Sequence, residues 1–380
     1  MTVSWWQRSD CQALAADYVV VGAGIVGSYA AFCLAQTGAD VLLTDMREPA
    51  AGASGRNAGF LLSGLVQYYH EAVEQYGHAT AREAWQLSVE TRELAFSLAQ
   101  QLGVPAERCG SFLLATTRRE ARALERAARA LEADGWPVAF QRGDPWGRGF
   151  AATLHKPDDG VVHPVKLVRA IAKHSGAQLV APNEVWAIEA RPGGVRVRGS
   201  KAEVEAKGAI VALNAYAPLV CPALAGLVRP VRGQMLSTVP LPSRVFDGAG
   251  YANWGYEYFR QLPDGRFLMG GGRRRFRRQE TGWEDLTTPS VQGALTQFLE
   301  RYFPEVAGQP IESRWSGTMG FTPDGLPLVG RLPDVPQAVV AVGFNGHGMG
   351  LGLKVAERAV DLLLNGTSPG FLDSARFQLE

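Results

Sequence analysis

Residues 17–45 read DYVVVGAGIVGSYAAFCLAQTGADVLLTD, and they decide the fold. YVVV is a continuous β-branched run, as expected of a strand buried on both faces of a parallel sheet. IVGSYAAFCLAQTG has helical length and ends on a glycine, and DVLLTD reads as a second strand. Between the first strand and the helix, Gly22, Gly24 and Gly27 form G-x-G-x-x-G. Without Cβ atoms, the first two keep the turn tight and let the backbone approach a pyrophosphate. The third lets the helix close on the sheet. The helix N-terminus then offers N–H groups and a positive dipole end to phosphate. Asp45 ends the second strand, about 20 residues on, where a carboxylate can accept from ribose hydroxyls. A dinucleotide binds here. NAD and FAD proteins share this unit, so the choice between them rests on the segment downstream of it.

That segment is MREPAAGASGRNAGF, residues 46–60. An NAD dehydrogenase usually proceeds to further strand–helix units. A loop of small residues with backbone donors and Arg56 suits lying against a planar ring with imide and carbonyl groups, although an ordinary surface loop shares that composition.

The chain has 380 residues, enough for two domains or one elaborated one. It is 46% hydrophobic and 20% charged, which excludes global disorder. A net charge of +1 makes no overall case for nucleic acid. The run RRRFRR at 273–278 is a local exception, either a solvated edge or a contact for phosphate or an anionic partner. Cys11, Cys33, Cys109 and Cys221 are scattered, with neither a CxxC pair nor a metal-ligand spacing. The segment MTVSWWQRSDCQALAAD lacks the apolar core of a signal peptide, and no stretch approaches the ~20 apolar residues of a membrane span. The expected location is cytoplasmic.

Residues 78–101 and 117–134 read as amphipathic helices. A helix from Pro164 leads to the strand AQLV, and VRVRGSKAEVEAKGAIVAL reads as antiparallel strands followed by a buried strand over 209–213. GYANWGYEYFRQLPDGRFLMGGG suggests strands joined at Pro-Asp-Gly. AVVAVGFNGHGMGLGLKVAERAVDLLL is a strand, a glycine-rich loop and a helix. Nucleotide-type pieces therefore lie at the start, middle and end of the chain, so the domains are interleaved.

These motifs, in this order, resemble the D-amino-acid-oxidase-type (DAO) FAD oxidoreductases. The resemblance rests on VVVGAGIVG with Asp45, GASGRN, EVWAIEARPGGVRV, AIVALNAYAP, RPVRGQML, PDGLPLVGRLP and GFNGHGMGLG. GASGRNAG and NAY are most similar to the γ-glutamylputrescine-oxidoreductase-like and glycine oxidase branch. The resemblance implies an α/β plus α+β fold: an FAD-binding Rossmann-like (GR2-type) domain over 14–77, 150–228 and 319–380, interleaved with an antiparallel-sheet substrate domain over 78–149 and 229–318. It implies FAD at Gly22, Gly24, Ile25, Val26, Gly27, Asp45, Met46 and Arg47, and the ring system near Ser54, Gly55, Arg56, Asn57, Ala58 and Gly59. It further implies contacts from Val185, from Ala212, Leu213 and Asn214, and from Asn345, Gly346, His347, Gly348, Met349 and Gly350. Backbone N–H groups of that last loop, ahead of a helix, suit the negative charge that develops on flavin reduction.

The chain also departs from the family. Members that oxidise amino acids anchor the substrate carboxylate with Arg or Lys. At those positions this sequence has Met319, in RWSGTMGFTPDG, and Gly350. Either the substrate lacks a carboxylate there, or another group binds it, with Arg260, Arg232 and Arg56 as candidates. The segment before TPDG holds no Cys, so FAD is expected to be noncovalent. RFLMGGG holds no Lys, which leaves oxygen or another acceptor open. Tyr251, Trp254, Tyr256 and Tyr258 are the expected pocket wall, the alternative being core or sheet-surface residues of a strand. Substrate-binding candidates are Phe60, Tyr256, Tyr258, Arg260 and Met319; Tyr258, Arg260 and His347 are the catalytic candidates, with no general base assigned and a His347 that only braces its loop as the alternative. No metal site is expected. The implied activity is oxidation of the C–N bond of a small amine or amino-acid-like substrate to an imine, by hydride transfer to flavin N5. The alternatives are a D-amino-acid or glycine-type enzyme with a relocated anchor, and a flavin-binding subunit of a larger complex.

Overall fold

The computed structural model describes residues 11–377. Residues 1–10, on which part of the N-terminal reading falls, and the last three residues of the 319–380 segment lie outside the described residues. Gln12–Val21 is the central strand of an eight-stranded sheet, parallel to Val41–Thr44 on one side and to Ala202–Val211 on the other. Gln178–Val180 extends the sheet in parallel beyond Val41–Thr44. Ala202–Val211 is one long strand whose free edge is divided between two partners. Its first half pairs antiparallel with Gly194–Gly199, and Ala209–Val211 pair parallel with Val335–Val342. That division explains why the sequence alternates first and then becomes continuously apolar.

Both faces of this sheet are covered. One packs on the helices Ile25–Ala35, His78–Gln101, Pro164–His174 and Gly348–Asn365 through Val20, Leu43, Ile210 and Val339. The other buries Val19, Val21, Leu42, Val204 and Val340 beneath the antiparallel strands and the 214–228 segment. The small residues of Ile25–Ala35 let that helix lie close, so Ile25 to Ala31 are all buried.

The second sheet runs Ile311–Phe321, Arg229–Pro240, Arg266–Gly271, Glu257–Gln261, Ala249–Ala252, Ser111–Ala115, Ala152–Lys156, Ala139–Arg142. It is antiparallel except where Ala249–Ala252 runs parallel to Ser111–Ala115. The helix Pro289–Tyr302 covers one face, packing Leu295 and Leu299 on Leu236, Phe259, Phe267 and Phe303. The other face turns Met235, Tyr258 and Trp315 toward Ala58, Phe60 and Leu62 of the small-residue loop. Two segments sit differently from the sequence reading. Ala152–Lys156, expected with the nucleotide unit, pairs with Ser111–Ala115 in the second sheet. His78–Gln101, expected with the substrate sheet, packs its Ala81, Ala84 and Leu87 into the nucleotide-side core. Pairing and packing between segments far apart in the chain decide both, and no local pattern reports them. Among the described residues no helix is long and apolar enough to cross a membrane.

Candidate functional site

The turn after Gln12–Val21 leaves no room for side chains. Gly22 has φ +104°, and a Cβ on it would lie 2.7 Å from the Ala212 carbonyl oxygen. A Cβ on Gly27 would lie 1.8 Å from the Gly22 oxygen, which would stop the helix closing on the turn. Ala212 N–H donates to the Val21 oxygen (2.8 Å), so Ala212 and Leu213 pass directly beside the turn. Gly24 caps Ile25–Ala35 with no side-chain bond. Instead Ile25 N–H donates to Ser54 Oγ (3.0 Å), setting a hydroxyl of the small-residue loop at the helix's positive end. Asp45 Oδ2 accepts from Ala23 N–H and Oδ1 from Arg47 N–H, both at 2.8 Å. The carboxylate is thereby fixed beside the turn with acceptor capacity to spare. Asn183 N–H donates to the Asp45 carbonyl (2.7 Å), which brings Val185 to the same end of the sheet. Met46, next in the chain, is half-buried.

The 52–60 loop braces itself. Asn57 Nδ2 donates to the Ala53 and Ser54 carbonyls (3.0 and 2.8 Å), and its Oδ1 accepts from Gly59 N–H (2.7 Å). Gly55 closes a single 3₁₀ turn there. At the far end of the chain, Asn214 Oδ1 accepts from Gly343 N–H (3.1 Å), and Asn345 Oδ1 accepts from Thr322 N–H (2.9 Å). These bonds hold the loop that leads through Gly346 and His347 into Gly348–Asn365, a second helix whose N-cap makes no side-chain bond. Met349 is buried in its first turn. A Cβ on Gly350 would lie 2.7 Å from the Leu62 oxygen, and one on Gly352 would lie 3.2 Å from both Ile25 and Val26. Both helix N-termini, the Cβ-free turn and Asp45 thus border one region. That set fits FAD: phosphates at the first helix, ribose at Asp45, and the reducible ring's negative charge at the second helix.

The facing wall comes from the second sheet. Along Ile311–Phe321, half-buried Trp315, Gly317, Met319 and Phe321 alternate with more buried Ser316, Thr318 and Gly320. Met319 Sδ is 3.5 Å from where a Gly346 Cβ would lie, and its Cε is 2.9 Å from that of Gly233, close to the Tyr258 hydroxyl. Met319 therefore connects the His347 loop to Tyr258. Phe60 meets Tyr251 edge-on at 5.3 Å, and Tyr251 meets Tyr258 at 6.0 Å. Burial raises both phenols, that of Tyr258 to about 12 against an opposing pull from Arg273, so this wall is neutral and largely apolar. Trp254 is not part of it. With φ +56° in the turn between two strands, it swings away to stack on Tyr68 (6.3 Å), because Asn253 and Trp254 interrupt the alternation.

The three arginines offered as anchors are engaged. Arg56 pairs with Asp285 (2.6 Å) and donates to the Ser316 carbonyl (2.9 Å). Arg232, buried, pairs with Glu280 (2.8 Å). Arg260 Nη1 donates to the carbonyls of Ala58, Gly59 and Val162 at 3.1, 3.3 and 3.2 Å, tying the small-residue loop to the second sheet. Burial lowers its pKa.

Burial also lowers His347, to about 4, with a further contribution from Lys156. Its Nδ1 lies 3.3 Å from the Asn345 carbonyl, which can only accept, so Nδ1 carries the proton and Nε2 is an acceptor. Lys156 escapes a sequence reading because its partners are remote from any motif: Asp159 (2.9 Å) and the Ser63 carbonyl. Asp159 is fully buried. Burial pushes its carboxyl up, but Lys156, Ser111 and Ser63 outweigh that and hold it below the usual range. A Lys and an Asp three apart are the only sequence signal.

The comparisons agree with this geometry. The family model described as FAD dependent oxidoreductase (DAO) matches residues 17–362. A probable oxidoreductase, OrdL, of Rhizobium meliloti (strain 1021) is 27% identical over 392 residues, covering 96% of this chain and 89% of that protein. Gamma-glutamylputrescine oxidoreductase of Escherichia coli (strain K12) is 27% identical over 378 residues, covering 95% and 86%. Glycine oxidase from Geobacillus kaustophilus, a solved structure, superimposes with a TM-score of 0.81 at 24% identity, over 97% of this chain and 99% of that one, a likeness of fold. With a nucleotide turn, a flavin-type loop and a matched length that spans nearly the whole chain, this protein belongs to the DAO family of FAD-dependent oxidoreductases.

Proposed function

We propose that the chain oxidises the C–N bond of a small amine or amino-acid-like substrate to an imine, which water hydrolyses. When bound, FAD supplies the redox chemistry, taking a hydride at N5 and returning electrons to oxygen or another acceptor. The observation that carries this reading is the wall of Tyr251, Tyr258 and Met319 set against the Asn345–Gly350 loop. An apolar wall of neutral phenols excludes water and favours an amine in its uncharged, oxidisable form. Phe60 and Tyr256 border the same face. His347, with its pKa lowered to about 4, is neutral at physiological pH and takes no proton-donor role; its Nε2 is an acceptor for an amine N–H. Asp45, Ser54 and the two helix N-termini hold the cofactor without a covalent bond, since the strand before Thr322 offers no thiol. All four cysteines are free, which supports a cytoplasmic site of action.

The experiment is an anaerobic absorbance titration of the purified holoprotein with amines and amino acids. Loss of the oxidised-flavin band near ~450 nm with one substrate class is the expected result. A yellow protein that no amine bleaches would overturn the amine reading and favour a flavin-binding subunit.

A further inference from the structure

One cation beside this wall lacks a partner. Arg273 lies over the rings of Tyr256 (5.1 Å) and Phe321 (5.0 Å), and its guanidinium makes no hydrogen bond or ion pair with any described residue. Its position is set by the backbone. Gly271 and Gly272 end the Arg266–Gly271 strand with φ +114° and +71°, and a Cβ on Gly271 would lie 1.8 Å from the Tyr256 oxygen. That turn folds Arg273 back onto the side of the sheet that carries Tyr258, Met319 and Phe321.

The surroundings are as unusual as the residue. Arg274 donates to Asn253 and Arg277 to Tyr256, both neutral acceptors, and none of Arg273, Arg274, Arg275, Arg277 or Arg278 has a carboxylate within ion-pair distance among the described residues. Glu257, a buried carboxyl nearby, pairs with none of them, and one of its oxygens has no partner. Leaving a half-buried guanidinium unpaired costs free energy that a well-placed Asp or Glu would recover. Elsewhere the chain gives its buried arginines polar partners: carboxylates at Arg232–Glu280 and Arg92–Asp159, and three backbone carbonyls at Arg260.

We propose that the missing partner comes from outside the chain: Arg273 is the carboxylate-recognising residue of the substrate site, and the substrate is an amine bearing a carboxylate. A planar guanidinium stacked on two rings is already oriented, so its fork can bind the carboxylate bidentately with little further ordering. Burial depresses its pKa, but Arg remains charged at any working pH. The other arginines of the run supply a positive field that draws an anionic substrate to the wall.

The inference rests on the amine reading above, and its test separates the two. Propionate, a carboxylate with no oxidisable amine, is titrated into the holoprotein and its binding read as a perturbation of the flavin spectrum. Wild type is expected to bind it, R273Q about 10- to 100-fold more weakly, and R273K in between. R278Q removes the same charge from the exposed end of the run and should stay within about twofold. In parallel, each amine of a pair such as 4-aminobutyrate and n-butylamine is used to reduce the flavin anaerobically. The carboxylated member should saturate at lower concentration in wild type, and R273Q should abolish that preference while changing the limiting rate less. Propionate binding that is absent in wild type, or equal in R273Q, overturns the assignment even if amines reduce the flavin. Equal losses in R273Q and R278Q overturn it in favour of a diffuse field. If no amine reduces the flavin but propionate binds through Arg273, the amine reading fails and the carboxylate site stands.

Discussion

Two charged regions of this molecule obey opposite rules. Around Asp159, one fully buried carboxylate accepts from five donors: Ser63 N–H and Oγ (2.9 Å each), Arg92 (2.9 Å), Ser111 (2.6 Å) and Lys156 (2.9 Å). Around 273–278, five arginines share no carboxylate among the described residues. The first region is complete within the chain and joins the Ser63 segment, the His78–Gln101 helix and two parts of the second sheet. Its charges serve the fold. The second region is complete only with something bound, and its charges serve recognition. An unpartnered guanidinium carries information where the buried arginines Arg92, Arg232 and Arg260 each have polar partners.

D159N puts the heaviest load on this contrast. It leaves Lys156 and Arg92 buried beside a neutral amide, and removing one partner of a buried pair costs about 3–5 kcal/mol. The unfolding midpoint of the holoprotein should fall steeply, whereas R273Q should leave it unchanged or raise it. Equal midpoints for wild type and D159N would erase the distinction between the regions. The pH sign comes from the depressed Asp159 pKa. Its contribution is present above the unfolded value near 3.8 and is lost as pH falls through the lower folded value.

Glu257 offers an intermediate case, because it is a buried carboxyl beside the arginines without an ion pair to them. Burial raises it to about 7, and Glu120 adds to the shift against opposing pulls from Asn253, Arg274 and Arg275. The native state holds a proton that the unfolded chain releases near 4.5. Stability is therefore full below that value and falls as pH rises to about 7, by an amount on the order of 3 kcal/mol. E257Q should flatten this decline, so that its midpoint exceeds that of wild type at about pH 8 but not at about pH 4. A wild-type midpoint that does not fall between about pH 5 and 7 would show that the carboxyl ionises in place.

The smallest effect is expected from R274A combined with R277A. Both side chains are exposed and bond only to neutral groups, so stability should change by less than about 0.5 kcal/mol. Initial rates with a carboxylated amine at low salt should nonetheless drop, and the gap from wild type should narrow as ionic strength rises. A salt-independent gap would show direct contact in place of a field.

Much of this architecture is legible in the sequence where the signal is local. The G-x-G-x-x-G turn, Asp45, the helices at 78–101 and 117–134 and the small-residue loop are each specified by neighbours within a few residues. The illegible part depends on distant pairing. Ser63 and Asp159 stand 96 residues apart with Arg92 and Ser111 between them, and only folding collects the four. Arg260 reads as free because a side chain's carbonyl partners leave no trace in a sequence. Arg273 reads as one of five equivalent charges. The three glycines before it are the available clue, since they mark where the backbone reverses and separate the first arginine from the rest.

The contact of Gly352 with Ile25 and Val26 bears on how the protein is made. The helix that carries the nucleotide turn, Ile25–Ala35, is synthesised well before the helix that closes the cradle beside it, which begins only at Gly348. A ribosome adding ~5–20 residues per second needs tens of seconds to cover that interval. Throughout it the early strand–helix–strand unit has neither its parallel neighbour Ala202–Val211, for the first part, nor its partner helix. Cofactor capture is consequently a late event in the life of the chain. Substitutions near residue 350 should yield apoprotein even when the motif at the other end is intact.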